Sequence, residues 1–147
     1  MFNQGHILYF SNFKFNNGND PKEKYFIILK VTDDELIIGT LPTRKNKIPS
    51  FVTIEHGCIN LDERQYNCYL FQQGKKICTN DFCFDLPTFI YGGEIGYYQK
   101  SKMEVDYQDG VNVAVQGELT KAEYQEIIKC LCNSNSVKRG IKRKLSA

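Results

Sequence analysis

The chain of 147 residues has no tryptophan, two histidines and four prolines. His6 and His56 do not stand at usual ligand spacings, and no Cys-x-x-Cys pair supplies the other half of a zinc site. A metal centre is therefore not expected, and neither is a cofactor. A G-x-S-x-G turn is also missing, which removes the signature of a serine nucleophile elbow. The glycines of "YGGEIG" open no helix and lack a following lysine, so they do not form a phosphate cradle. No apolar run approaches the roughly 20 residues that span a bilayer, and "MFNQGHILYF" carries no basic leader. These absences lead to the expectation of a cytoplasmic protein with no membrane partner. In that compartment Cys58, Cys68, Cys78, Cys83, Cys130 and Cys132 are expected to be free thiols, packed as small hydrophobes.

What is present is an ordinary globular balance: 41% hydrophobic and 24% charged residues, with 13% aromatic residues that lean towards strands. The length fits one core. The formal net charge of +2 hides an asymmetry, because Lys138, Arg139, Lys142, Arg143 and Lys144 crowd the end of the chain. Without those five, 14 basic residues face 17 acidic ones, a net of −3. Overall charge gives no reason to expect nucleic acid; local patches would have to. Residues 133–147 read as a flexible basic tail, with a phosphate-binding arm as the alternative.

Along the chain, "GHILYFSNFKF" predicts a long strand, and "NNGNDPKEK" a loop rich in turn-forming residues. "KYFIILKV" and "ELIIGTL", joined by "TDD", predict an antiparallel hairpin. "SFVTIE", "NCYLFQ" and "ICTNDFCF" continue the extended pattern, and residues 94–116 suggest an inserted hairpin. The clearest helix is "LTKAEYQEIIKCLC". Thr120 and Glu123 match a capping box, Leu119 and Tyr124 a hydrophobic staple, and Tyr124, Ile127, Ile128 and Leu131 one apolar stripe. Short strands closed by a terminal helix predict a mainly β fold: a small curled antiparallel barrel over residues 1–132.

The candidate chemistry is cationic. Lys22 and Lys24 end the first loop, while Thr43, Arg44, Lys45 and Lys47 follow the third strand in "LPTRKNKIPSF". A hairpin through "TDD" brings these two basic groups side by side. A guanidinium grips two non-bridging phosphate oxygens, a lysine acts as a point charge, and a threonine hydroxyl donates to a developing oxyanion. RNA supplies its own 2′-hydroxyl nucleophile, so such a pocket needs neither serine nor metal. Spacing alone leaves a solvated hairpin end open beside this reading.

The order of three segments then matters: Gly5 with "HILYF" before "KYFIIL", the run "IIGTLPTRKNKIPSFVTI", and the terminal "QGELTKAEYQEIIKCL". In that order the chain resembles the PemK/MazF family of small toxin endoribonucleases over most of residues 5–132. The resemblance implies an SH3-like barrel and a homodimer that cuts single-stranded RNA without a metal and is held inactive by a cognate antitoxin protein. Thr43 falls at the family's catalytic threonine or serine. Lys24 falls at the catalytic arginine and Tyr25 at the proline after it, a departure, since lysine does not reproduce bidentate contact. Arg44 is then the residue expected to compensate. Lys22, Lys45, Lys47, Asn80 and Asp81 are the expected RNA-binding residues, the last two bordering the groove. The expected function is a toxin endoribonuclease; the alternative is a non-enzymatic barrel module that binds single-stranded nucleic acid or protein.

Overall fold

The computed structural model describes residues 2–14, 22–42, 55–61, 63 and 66–147. In chain order the elements are β1 (His6–Phe13), β2 (Lys22–Val31), β3 (Glu35–Thr40), β4 (Gly57–Leu61), β5 (Tyr66–Phe71), β6 (Thr88–Tyr91), β7 (Gly96–Gln99), α1 (Lys100–Asp106), β8 (Val113–Glu118), α2 (Lys121–Cys132) and α3 (Arg139–Leu145). One antiparallel sheet has the order β7-β3-β2-β1-β8 and a second the order β4-β5-β6. Both are open. The expected SH3-like curled barrel does not form; the fold is mixed α/β.

The reason lies in the unbroken apolar runs. A half-exposed strand alternates apolar and polar residues, but "KYFIIL" and "HILYF" are apolar at consecutive positions and so need cover on both faces. Ile7, Ile27, Leu29 and Ile37 pack on one side with Tyr69, Phe71 and Ile90 of the second sheet and with Ile127 and Leu131 of α2. Leu8, Phe10, Phe26, Ile28 and Ile38 pack on the other side with Met103 and Tyr107. On that side Phe13 and Phe26 meet edge to face at 4.4 Å, and Phe10 and Tyr107 at 4.8 Å. Each large side chain buried in this way contributes about 1.5–3 kcal/mol. A small curled barrel has only one such interior.

Residues 94–116 therefore are not an inserted hairpin. β7 pairs with β3 and β8 with β1, at opposite edges of the sheet, and α1 lies between them in the chain. The two sheets approach closely at Gly39, where a Cβ would sit 3.2 Å from Ile90 Cγ2 and 3.3 Å from Ile27 Cγ2. Phe89 N–H donates to Pro42 O at 2.9 Å, which ties the end of the first sheet to β6. The extended piece expected over "ICTNDFCF" is only an isolated bridge, Cys78 to Leu119.

Two further expectations are corrected. The basic tail is not flexible: it forms α3, with Val137, Ile141 and Leu145 buried in the main core. Two of its cations are engaged within the chain. Lys144 Nζ lies 2.9 Å from Glu35 Oε1 and 4.7 Å from the Tyr97 ring centre, and Lys142 Nζ donates to Ser134 O. The cysteines are not all thiols either, since Cys58 on β4 and Cys130 on α2 form a disulfide, with Cα atoms 5.5 Å apart. Cys68, Cys78, Cys83 and Cys132 are free.

Ile141→Ala should lower unfolding free energy by about 2–4 kcal/mol through the cavity it leaves, read as a fall in the urea midpoint. An unchanged midpoint would return the tail to the solvent. Cys58→Ser removes a crosslink spanning 72 residues from an exposed position and should cost about 2–4 kcal/mol. Wild-type protein in reducing agent should then unfold at the variant's midpoint.

Candidate functional site: an aromatic cleft beside Pro42

Pro42 is the last described residue before the basic stretch, so Thr43, Arg44, Lys45 and Lys47 lie outside the described residues. Immediately before it, a cleft of about 200 Å³ opens between the first half of β2, the residue that follows β3 and residues 82–88, lined by Tyr25, Leu41, Phe82, Phe84, Asp85 and Leu86. Aromatic rings dominate its wall. Phe82 and Phe84 meet edge to face at 5.1 Å, Tyr25 and Phe84 at 5.9 Å, and Tyr9 extends the row from β1 at 5.1 Å from Tyr25. Such pairings hold rings at fixed angles, with Phe84 itself buried in the main core behind the others. Phe82 and Tyr25 are half-buried, while Leu86 is 57% exposed.

The wall is held by its own polar contacts. Asn80 Oδ1 accepts from Phe82 N–H at 3.2 Å, and its Nδ2 donates to Gln116 O at 3.0 Å, so the side chain pins the segment to β8. Gly74 N–H donates to Phe84 O at 2.9 Å, and Thr88 Oγ1 to Leu86 O at 2.8 Å. Asp81 is exposed beside Phe82, and Asp85 stands in the lining. Asn80 and Asp81 thus border the cleft, Asn80 as a positioning residue.

The expected cation does not face it. Lys24 stands opposite Phe10 in the β1–β2 register, whereas Tyr25 stands opposite Tyr9, and neighbouring strand residues point to opposite faces. Lys24 therefore shares the face of Phe10 and Phe26, away from the aromatic wall. Lys22 is the first residue of β2, opposite Phe13. The cleft residues Tyr9, Tyr25, Phe82 and Phe84 were not singled out by sequence reasoning; the alternation of Phe82 and Phe84 in "DFCF" was their only local signal.

A second polar cluster joins His56, Tyr69 and Glu123. Glu123 begins α2 as expected, with its N–H donating to Thr120 Oγ1 at 3.2 Å, but its carboxylate does not turn back to Thr120. Thr120 N–H goes to Ile77 O instead, and Glu123 Oε2 accepts from the Tyr69 hydroxyl and from His56 Nε2, the latter at 2.7 Å. Gln72 N–H donates to His56 Nδ1 at 3.1 Å, which assigns the ring proton to Nε2. With both nitrogens engaged, the imidazole has no free position for proton transfer to a substrate. Burial, then the hydrogen bond to Glu123, pushes the Tyr69 phenol up, so it remains a donor. The cluster is a latch between β5, α2 and the start of β4.

Among the described residues no group of three or more His, Cys, Asp or Glu side chains could hold a metal ion. None of their helices is long and apolar enough to cross a membrane. Comparison with family models, curated proteins and solved structures finds no match. The PemK/MazF resemblance then rests on the order of segments alone. The SH3-like barrel that it implied is not seen, and no family match supports toxin–antitoxin or nuclease activity.

Glu123→Ala strands the Tyr69 hydroxyl and the His56 N–H in a mostly buried place. It should cost about 2–6 kcal/mol in chemical denaturation, from about 1–3 kcal/mol for each of the two unsatisfied groups. A loss below about 0.5 kcal/mol would mean that water replaces the carboxylate and that no latch exists.

Proposed function

We propose that the protein is a non-enzymatic module for single-stranded RNA, taking bases against the half-buried Tyr25 and Phe82 rings, braced from behind by Phe84, and phosphates on the basic stretch that follows Pro42. The carrying observation is the coincidence of an aromatic cleft with the point where the chain enters Thr43, Arg44, Lys45 and Lys47. Every base has a π face, so stacking on such rings tolerates sequence, while lysines and arginines track the backbone. Asp81 and Asp85 beside the rings disfavour phosphate there and favour a base with an amino group to donate. The exposed Leu86 adds apolar area for a second base.

Fluorescence anisotropy with a labelled single-stranded RNA tests this reading. Phe82→Ala should weaken binding by about 1–3 kcal/mol, roughly 5- to 150-fold. Replacing Lys45 and Lys47 by alanine should weaken it for every sequence and flatten its salt dependence. Running the same samples in EDTA for intact RNA adds a second readout. Cutting that disappears in Thr43→Ala would make the protein an enzyme instead, and absence of salt-sensitive binding would end the RNA reading altogether.

A further inference from the structure

On the opposite face of the five-stranded sheet lies a second pocket, of about 350 Å³, at the end of β1 between β7 and α1. Its floor is aromatic: Phe13 stacks on Tyr107 with ring centres 5.4 Å apart and meets Tyr98 edge to face at 5.8 Å. Its polar groups are mainly hydrogen-bond donors. Tyr107 Oη accepts from Lys14 N–H at 2.9 Å, which leaves the phenolic proton to donate elsewhere. Burial pushes both the Tyr98 and Tyr107 phenols up, so each keeps its proton through neutral pH. Lys14 and Lys102 line the same pocket, and neither ammonium has a partner among the described residues. Among the described residues Asp106 is the one carboxylate in the lining, and Gln99 adds an amide. Lys24, set apart from the aromatic cleft by strand alternation, lies on this face, opposite Phe10.

Stacked rings below, with two ammonium groups and two phenolic protons around them, match a ligand that is flat and apolar at one end and anionic at the other. The volume falls in the range of small-molecule sites and admits one ligand of nucleotide size. We propose that this pocket binds a planar aromatic anion, with Lys14 and Lys102 on the charge and Tyr98 against the ring, held in place by the buried Phe13 and Tyr107. A nucleoside monophosphate and an aromatic carboxylic acid share this chemistry. The carboxylate of Asp106 and the amide of Gln99 favour the nucleotide, whose base offers amino donors that an aromatic acid lacks.

Isothermal titration calorimetry of the full chain with adenosine 5′-monophosphate, phenyl phosphate, benzoate and inorganic phosphate decides the matter. Saturable binding of an aromatic probe with Kd below about 1 mM is expected, with inorganic phosphate at least tenfold weaker. The nucleotide binding more tightly than phenyl phosphate assigns the first source, and benzoate binding most tightly assigns the second. Lys102→Ala should weaken the aromatic probe about tenfold, and replacing Lys14 as well should abolish its binding; neither ammonium carries a hydrogen bond or ion pair among the described residues. Tyr98→Phe should weaken it less while keeping the ring. Phe82→Ala should leave it unchanged, and a loss there would move the ligand to the other cleft and overturn the assignment. No saturable binding by any probe, equal binding of phosphate, or indifference to the lysine changes would also overturn it.

Discussion

One face of α2 holds the architecture together. Glu123, Ile127 and Cys130 recur at helical spacing, and each is tied to the second sheet or the core: the carboxylate to Tyr69 and His56, the isoleucine to the main core, the cysteine to Cys58. Asn67 on β5 adds a hydrogen bond from Nδ2 to Cys130 O at 3.3 Å. A helix of 12 residues is marginal alone in water, so its formation depends on those contacts. On a neighbouring face, the Tyr124 hydroxyl donates to Leu29 O, where β2 slips by one residue against β3. The helix thereby clamps both sheets, and α3 packs into the same core.

With α2 fixed, the central sheet has two apolar faces that require different covers. The second sheet and α2 close one, and Met103 of α1 with Tyr107 closes the other. Each face ends in a pocket walled by aromatic side chains. The cleft beside Pro42 holds Tyr25, Phe82 and Phe84 with acidic groups nearby, and the pocket beside α1 holds Tyr98 and Tyr107 with lysines nearby. A single step along β2, from Lys24 to Tyr25, assigns those two residues to opposite faces. Strand alternation thus sends neighbouring residues of β2 to the two faces of one sheet.

Much of the local structure was legible in the chain. The strands β1, β2, β3 and β5, the turn at "TDD" and the start of α2 at Thr120 follow from apolar runs, turn residues and a capping hydroxyl, all of which act within a few residues. Less was legible wherever the partner is distant. Capping-box chemistry predicts where the Glu123 carboxylate goes, but two donors contributed by the other sheet outcompete the local amide. The tail looked like solvated charge because its five lysines and arginines outnumber its apolar residues, yet Val137, Ile141 and Leu145 suffice to bury one side. The aromatic cleft was overlooked because its rings come from β1, β2 and the segment before β6.

The sequence by itself determined that the runs of β1, β2, β3 and β5 extend, where α2 begins, and that β1 and β2 needed cover on both sides. Only the tertiary structure decided that β7 and β8 take opposite edges, that Cys58 meets Cys130, and that Lys24 and Tyr25 serve different faces of one sheet. The division has a physical cause. Propensity, capping and alternation are short-range and can be read within a window, whereas sheet order and side-chain partners are set by contacts between residues far apart in the chain.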